Sequence, residues 1–139
     1  EKDVKQYFEE FEERLNEECD YEMELKNGTE IAAATQHIPN LIIPKYYKEL
    51  SAKKILTMEW IEAKPLQHFL DNETNQDKKN QIGQALLDFL HSSIHEHQRF
   101  HADPHPGNFL VTADNKLVVL DFGCVKTIPF DFYNFYLHN

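Results

Sequence analysis

The stretch HADPHPGNFLVTADNKLVVLDFG, residues 101–123, carries most of what this sequence says about its fold. Two prolines stand in its first eight residues. Because proline lacks a backbone N–H and has a fixed φ, neither a helix interior nor a central strand suits them. We therefore expect a loop over 101–108. The apolar runs FLVT and LVVL on either side of ADNK are typical of a β-hairpin and predict one directly after that loop.

The register of this hairpin predicts which polar side chains meet at its base. A turn centred between Asp114 and Asn115 pairs Asn108 with Asp121 on the two strands. An amide oxygen and a carboxylate are ligands that Mg²⁺ accepts, with water and phosphate in its other positions. Gly123 follows and gives the chain the freedom to turn away. The sequence thus predicts a divalent-metal site formed by Asn108 and Asp121.

The spacing of the polar residues gives an independent test. His101, Asp103 and Asn108 stand in the order H-x-D-x4-N, and the triplet Asp-Phe-Gly at 121–123 begins thirteen residues after Asn108. Both the motif and the interval match the catalytic loop and the metal-binding DFG of protein kinases. Asp and Asn are also common turn formers, but turn chemistry does not require six residues at these fixed offsets.

The kinase template gives each of these residues a role. Asp103 accepts the proton of the attacking hydroxyl group or orients the nucleophile, while Asn108 and Asp121 bind the metal that bridges the phosphates of ATP. His105 stands two residues after Asp103, where protein kinases often carry a lysine that contacts phosphate, so we expect His105 to face phosphate. For His101 we expect a bracing role in the loop through hydrogen bonds.

The composition of the chain disfavours several classes of protein. The chain is 41% hydrophobic and 12% aromatic, which predicts a folded domain. Its net charge of -10 repels phosphate backbones, so we expect no nucleic-acid partner. Cys19 and Cys124 are too few and too far apart for a disulfide framework, and no apolar run approaches the roughly 20 residues that span a bilayer. We therefore expect a cytoplasmic location.

The region before the loop predicts a helix and then strands. Between 2 and 37, apolar residues recur every three or four positions among glutamates, which predicts an amphipathic helix that stops before Pro39. The runs LII, YYKEL and ILTMEW between 41 and 60 predict a short strand and a hairpin.

The following region predicts two more helices. We expect Pro65 to end the strand region and a short helix to follow over 66–70, after which a polar stretch at 71–80 separates two structured parts. A second helix then runs to about His97, and its apolar stripe comprises Ile82, Leu86, Phe89, Leu90 and Ile94.

Four segments go beyond a general kinase motif. HADPHPGNFLV, LDFG, LTMEWIEA and ECDYEMELKN together resemble the UbiB family of atypical kinase-like ATPases, also called the ADCK or AarF type, over residues 15–125. The resemblance implies an α+β, protein-kinase-like fold, with ATP and Mg²⁺ as cofactors and an atypical kinase or ATPase activity. Several members support ubiquinone biosynthesis. This implies an isoprenoid lipid or quinone precursor as a partner, and peripheral membrane association through regions outside this chain.

The resemblance also assigns roles to residues outside the loop and the hairpin. It implies that Glu24 is the helix glutamate that pairs with the nucleotide-binding lysine, and that Glu18 and Asp20 form the regulatory ExD motif. Asn27 matches the asparagine of the family's EAxN motif. The hinge whose backbone meets adenine would comprise Met58, Glu59, Trp60 and Ile61.

By the same resemblance, the chain is part of a kinase-like fold. The lysine-bearing strand, the alanine-rich nucleotide loop and the KxGQ motif of the family would all precede residue 1. We expect residues 1–61 to form the end of the small lobe with the hinge, and residues 62–139 to form the part of the large lobe that carries the catalytic hairpin. Without the lysine, we do not expect these residues alone to bind ATP tightly.

Three other interpretations stay open. Aminoglycoside and choline phosphotransferases carry a similar HxDxHxxN motif and would use Asp103, Asn108 and Asp121 in the same way. A pseudokinase module would hold nucleotide without turnover. A histidine metal site is the third, since His91 and His95 lie one helical turn apart.

Overall fold

The computed structural model describes residues 7–8, 21–101, 105–129, 131 and 133. Of the predicted features, most of the helix before residue 21, together with Glu18 and Asp20, lies outside the described residues, and so does Asp103. The helices are α1 (Tyr21–Ala34), α2 (Leu66–Asn72) and α3 (Gln76–His91), and a π-helical turn at Ser92–Glu96 extends α3. The strands are β1 (Leu41–Ile42), β2 (Ala63–Pro65), β3 (Arg99–His101), β4 (Phe109–Thr112), β5 (Leu117–Val119) and β6 (Val125–Thr127). Short 3-10 helices occupy Lys48–Leu50 and Pro106–Asn108.

A four-stranded sheet in the order β1-β5-β4-β2 forms the centre of the described fold. Strand β1 runs parallel to β5, and the other two pairs are antiparallel. All three residues of β5 are fully buried, as expected for an apolar strand covered on both faces. Strands β3 and β6 form a separate antiparallel pair. Most of the 101–108 region and the DFG triplet lie between these two strands in the sequence. The predicted α+β class is confirmed.

The predicted hairpin is present, but its register differs by one residue from the prediction. Phe109 pairs with Val119 and Val111 with Leu117, so the backbone of Asn108 faces Leu120 and not Asp121. The difference arises in the turn, which has three residues between Thr112 and Lys116 whereas the predicted turn has two. Its last residue, Asn115, has φ of 61°, the left-handed conformation that closes three-residue hairpin turns.

Helix α1 continues through Gly28, where the close approach of Tyr46 leaves no room for a larger residue. A Cβ atom at this position would overlap the ring of Tyr46. The helix ends at Ala34, where the Thr35 hydroxyl and N–H both donate to the Ile31 carbonyl, at 2.8 and 2.9 Å. Ion pairing between Arg99 and Glu30 joins α1 to β3.

The region between β1 and β2 is a hairpin only in part. Tyr46 pairs with Met58, and Ala52 with Ile55, as isolated antiparallel bridges. The Tyr47 N–H also donates to the Thr57 carbonyl at 2.9 Å. The 3-10 helix at Lys48–Leu50 interrupts the strand that the sequence predicts, so no continuous ladder forms.

Helices α2 and α3 lie close to their predicted positions. The polar stretch at 71–80 is mostly helical, and only residues 73–75 connect the two helices. Asn75 ends this connection because its Oδ1 accepts the N–H groups of Asp77 and Lys78, at 2.9 and 3.3 Å, which is an ordinary N-cap. Along the predicted apolar stripe of α3, Ile82 and Phe89 are buried, while Leu90 is 36% exposed.

The predicted loop over 101–108 is wrong at both of its ends. His101 is the last residue of β3, and 106–108 form a 3-10 helix. Proline suits the first turn of such a helix, because its missing N–H would have no partner there.

Within the described residues, no helix combines the length and apolar character needed to cross a bilayer.

Candidate functional site

Asp121 lies two residues after the end of β5, and its backbone conformation directs its carboxylate. Its φ is 60°, a left-handed conformation that aspartate adopts more readily than most residues. One carboxylate oxygen, Oδ1, accepts the Gly123 N–H at 3.1 Å. The other, Oδ2, lies 3.5 Å from Nδ2 of Asn108. The sharp turn at Asp121 therefore brings its carboxylate back towards the base of the hairpin.

Asn108 reaches the same place from the other strand. Its N–H donates to the His105 carbonyl at 2.9 Å, and its carbonyl accepts the Leu120 N–H at 2.8 Å. These two bonds fix its backbone between the 3-10 helix and the hairpin. The side chains of Asn108 and Asp121 are thus neighbours, although they do not face each other in the ladder.

His105 precedes the 3-10 helix and has a local structural partner. Its ring nitrogen Nδ1 accepts the Gly107 N–H at 3.0 Å, which caps the short helix, and the side chain is exposed. The ring therefore has Nε2 available for a second contact. A phosphate contact by His105 stays a prediction, as does the role of Asp103.

Glu24 is buried on the face of α1 that meets the DFG triplet. It is 9% exposed and accepts a hydrogen bond from the backbone N–H of Phe122. Burial, and after it the negative charge of Asp121, raises the pKa of Glu24 to about 7, although the hydrogen bond from Phe122 opposes this. Among the described residues, no lysine or arginine forms an ion pair with Glu24. Its pairing with a nucleotide-binding lysine stays a prediction.

One contact and one buried hydroxyl group at this place were not predicted from the sequence. Asn27, one helical turn after Glu24, donates its Nδ2 to the Phe122 carbonyl at 3.0 Å. Tyr46 is buried, and its hydroxyl finds no hydrogen-bond partner in the described part of the chain. Burial, followed by the charges of Glu24 and Asp121, raises the pKa of Tyr46. Nothing in the sequence identifies Tyr46 as the ring that packs against Gly28.

The four predicted hinge residues connect the bridge between Tyr46 and Met58 to strand β2. Met58 packs against the core and bridges to Tyr46. The Glu59 N–H donates to the Lys45 carbonyl at 2.8 Å. Trp60 is 86% exposed, and Ile61 is half-buried. Contact between this backbone and adenine stays a prediction.

The donor set at Asn108 and Asp121 fits a hard divalent cation. The amide and carboxylate can supply oxygen atoms, and a cation there would offset the negative charge of Asp121, which contributes to the raised pKa of Glu24. The described residues contain no group of three or more His, Cys, Asp and Glu side chains placed to hold a metal. A cation bound by Asn108 and Asp121 would have further positions open to phosphate and water, which Mg²⁺ commonly takes as ligands.

The histidine alternative has weaker geometric support. The rings of His91 and His95 lie 4.6 Å apart between centroids, but the described residues provide no third metal ligand beside them. A cavity of about 390 Å³ lies elsewhere, between α2, β2 and the turn of the hairpin. None of Glu24, Asn108 and Asp121 lines this cavity.

Comparison with known proteins agrees with the kinase-like geometry. Residues 1–139 match the family described as the ABC1 atypical kinase-like domain. ACTIVITY OF BC1 COMPLEX KINASE 3 from Arabidopsis thaliana, a chloroplastic protein, is 33% identical over 134 residues, which are 91% of this chain and 18% of that protein. Atypical kinase COQ8B from Danio rerio, a mitochondrial protein, is 31% identical over 121 residues, covering 86% of this chain and 19% of that protein.

A solved structure supports the same fold. The complex of Rv3197 with erythromycin, from Mycobacterium tuberculosis, superposes with a TM-score of 0.74 at 30% identity. The match covers 91% of this chain and 32% of that one. The chain thus spans about a fifth of the length of the two curated relatives and about a third of the solved chain.

Proposed function

The chain belongs to the ABC1 atypical kinase-like family, and we propose that it forms part of the Mg-ATP site of an atypical kinase or ATPase. The observation that carries this proposal is that the side chains of Asn108 and Asp121 meet at the base of the hairpin. Nδ2 of Asn108 lies 3.5 Å from Oδ2 of Asp121. Their spacing to Asp103 in the sequence is that of the kinase template. The resemblance to the UbiB, ADCK or AarF type supports the same assignment.

The residues of the chain would divide the work as follows. Asn108 and Asp121 would hold Mg²⁺, which neutralises charge on the phosphates when it is bound. Asp103 would orient the attacking oxygen and accept its proton. The exposed ring of His105 would face phosphate through Nε2. Adenine would meet the backbone of the hinge at 58–61.

The proposal extends to the acceptor of the phosphoryl group and to the partner of the whole protein. Because the resemblance to the UbiB type implies a role in ubiquinone biosynthesis, we propose an isoprenoid lipid or quinone precursor as the associated partner, with peripheral membrane association of the whole protein. Transfer to such a partner and hydrolysis by water would use the same residues of this chain. We also propose that residues 1–61 and 62–139 belong to the small and large lobes.

The metal role of Asp121 can be tested in the whole protein with one substitution and one matched control. We expect Asp121→Asn to lower Mg²⁺-dependent ATP turnover by on the order of 10²-fold, because the site loses its one charged ligand in the described part of the chain. Asp114→Asn makes the same chemical change in the exposed turn of the same hairpin and should leave turnover unchanged. Equal rates for Asp121→Asn and the unsubstituted protein would exclude the metal role.

The antibiotic-phosphotransferase alternative predicts a different acceptor. Turnover that depends on an added aminoglycoside or choline, with none in their absence, would favour that reading. Turnover in the absence of any such acceptor would favour the ATPase of the UbiB type. Nucleotide binding with no turnover under either condition would favour a pseudokinase.

A further inference from the structure

The backbone of Phe122 is held at both of its polar groups by one helix. Asn27 donates Nδ2 to the Phe122 carbonyl at 3.0 Å, and Glu24 accepts the Phe122 N–H. These side chains stand three positions apart, so they project from the same face of α1. Two hydrogen bonds to one residue fix both its position and its orientation.

The held residue is the direct neighbour of the predicted metal ligand. The Phe122 ring is fully buried, so this residue is anchored on three sides, through its carbonyl, its N–H and its ring. The adjacent Asp121 has a left-handed backbone and also accepts the Gly123 N–H. A rotation of the Phe122 backbone would move both of these neighbours, and with them the direction of the Asp121 carboxylate.

We infer that Asn27 is a positioning residue for the metal site, acting on Asp121 through the Phe122 carbonyl. The inference rests on the proposed function, since it assumes that Asp121 binds the cation. It adds that a residue of α1, which does not touch the cation itself, sets how well Asn108 and Asp121 bind it. Helix α1 thereby couples the small-lobe side of the fold to the DFG triplet.

A purely structural role for Asn27 makes a different prediction. If the bond to Phe122 only docks α1 on the hairpin, its loss lowers stability and leaves the affinity of the folded protein for cations unchanged. If the bond orients Asp121, its loss weakens cation binding in protein that is still folded. The two roles therefore separate in a binding measurement.

The test uses Mn²⁺ as the probe, followed by electron paramagnetic resonance, in the whole protein with a non-hydrolysable ATP analogue. Asn27→Leu keeps the size of the side chain but removes the donor. We expect it to raise the Mn²⁺ dissociation constant by about threefold to tenfold, which is what the loss of one ordinary hydrogen bond does to an equilibrium constant. The Mg²⁺ concentration for half-maximal turnover should rise by a similar factor, with the rate at saturating Mg²⁺ nearly unchanged.

Ile31→Val is the matched control for the docking of α1. Ile31 is buried in the core, 8% exposed, one turn beyond Asn27, and it does not contact Phe122 through a hydrogen bond. Its substitution should lower stability and leave the Mn²⁺ dissociation constant unchanged. If Asn27→Leu does not fold, Asn27→Ser takes its place in the same titration. The shorter serine side chain cannot reach the Phe122 carbonyl, and it disturbs the packing less than leucine does.

The outcomes separate this inference from the proposed function. An equal Mn²⁺ dissociation constant for the folded Asn27 variant and the unsubstituted protein would overturn the positioning role alone. A rise of the same size in Ile31→Val would also overturn it, because docking would then explain the effect. Absence of saturable Mn²⁺ binding by the unsubstituted protein would overturn the proposed function and this inference with it.

Discussion

At Asp121 a single backbone dihedral decides where the carboxylate points. Its φ of 60° turns the side chain back towards Asn108, although the ladder pairs Asn108 with the preceding residue. Glycine would adopt this conformation at no steric cost, but it has no carboxylate. Aspartate is one of the few side chains that tolerate the conformation and can also bind a cation. The residue type thus answers two demands, of backbone and of chemistry.

Glu24 gives a prediction about pH. Burial and the charge of Asp121 raise its pKa to about 7, above the usual 4.5, so the folded chain favours the protonated form. This contribution to stability is complete below about pH 4.5 and is lost as the pH rises through 7. Glu24→Gln keeps an acceptor for the Phe122 N–H without the charge. At pH 8 we expect it to raise the free energy of unfolding of the 139-residue chain by on the order of 2 kcal/mol, and near pH 5 by almost nothing.

Urea denaturation of the chain at several pH values between 5 and 8 would measure this difference. Glu22→Gln is the control, because Glu22 is exposed on the same helix. Its effect should not vary over this range in the same way. A Glu24→Gln difference that is constant with pH would show that the Glu24 carboxyl does not titrate in this window.

At the scale of the element, the hairpin shows what a sequence pattern can and cannot predict. The alternation of apolar runs around ADNK located β4, β5 and the turn between them. The register depended instead on the conformation of Asn115, and a turn of two residues and one of three are both compatible with that sequence. Asn115 also donates its side-chain amide to the Lys78 carbonyl at 3.3 Å, a contact with α3 that no local pattern predicts.

At position 115, we expect a glycine variant to be more stable than an alanine variant, which is the reverse of their usual order. With φ of 61°, alanine is strained at this position and glycine is not. Both variants lose the contact with Lys78, so the comparison isolates the backbone. We expect Asn115→Gly to be more stable than Asn115→Ala by about 1 kcal/mol in urea denaturation. Asp114→Ala, in the exposed part of the same turn, should change stability little. Greater stability of the alanine variant at 115 would contradict the left-handed turn.

Helix α1 was predictable as a helix but not as a partner of the DFG triplet. Its amphipathic pattern indicates that one face is buried. The hydrogen bond from Asn27 to Phe122 spans 95 positions of sequence, and nothing in the local pattern selects that partner. The resemblance to a known family supplied the motif around Asn27, while the contact itself came from the structure.

For the molecule as a whole, the distribution of charge sets a limit on nucleotide binding. The chain has a net charge of -10, and Glu24 and Asp121 repel each other at the candidate site. The Mg²⁺ ion would offset part of this negative charge, but the phosphates of ATP bring more. In the described residues no cationic side chain forms an ion pair with Glu24. We therefore expect a positive group outside the described residues to complete the site.

This leads to a prediction about residues 1–139 alone. We expect them to bind Mg-ATP at least about tenfold more weakly than the whole protein does, a difference of about 1.4 kcal/mol in binding free energy. The physical cause is electrostatic repulsion, so added salt should strengthen binding to the isolated chain by screening it. Isothermal titration calorimetry of both proteins at two salt concentrations would measure this. Glu24→Gln in the isolated chain removes one of the repelling charges and should narrow the difference in Mg-ATP affinity between the isolated chain and the whole protein. Equal affinities of the two unsubstituted proteins would contradict this prediction, because residues 1–139 would then need no cation from outside.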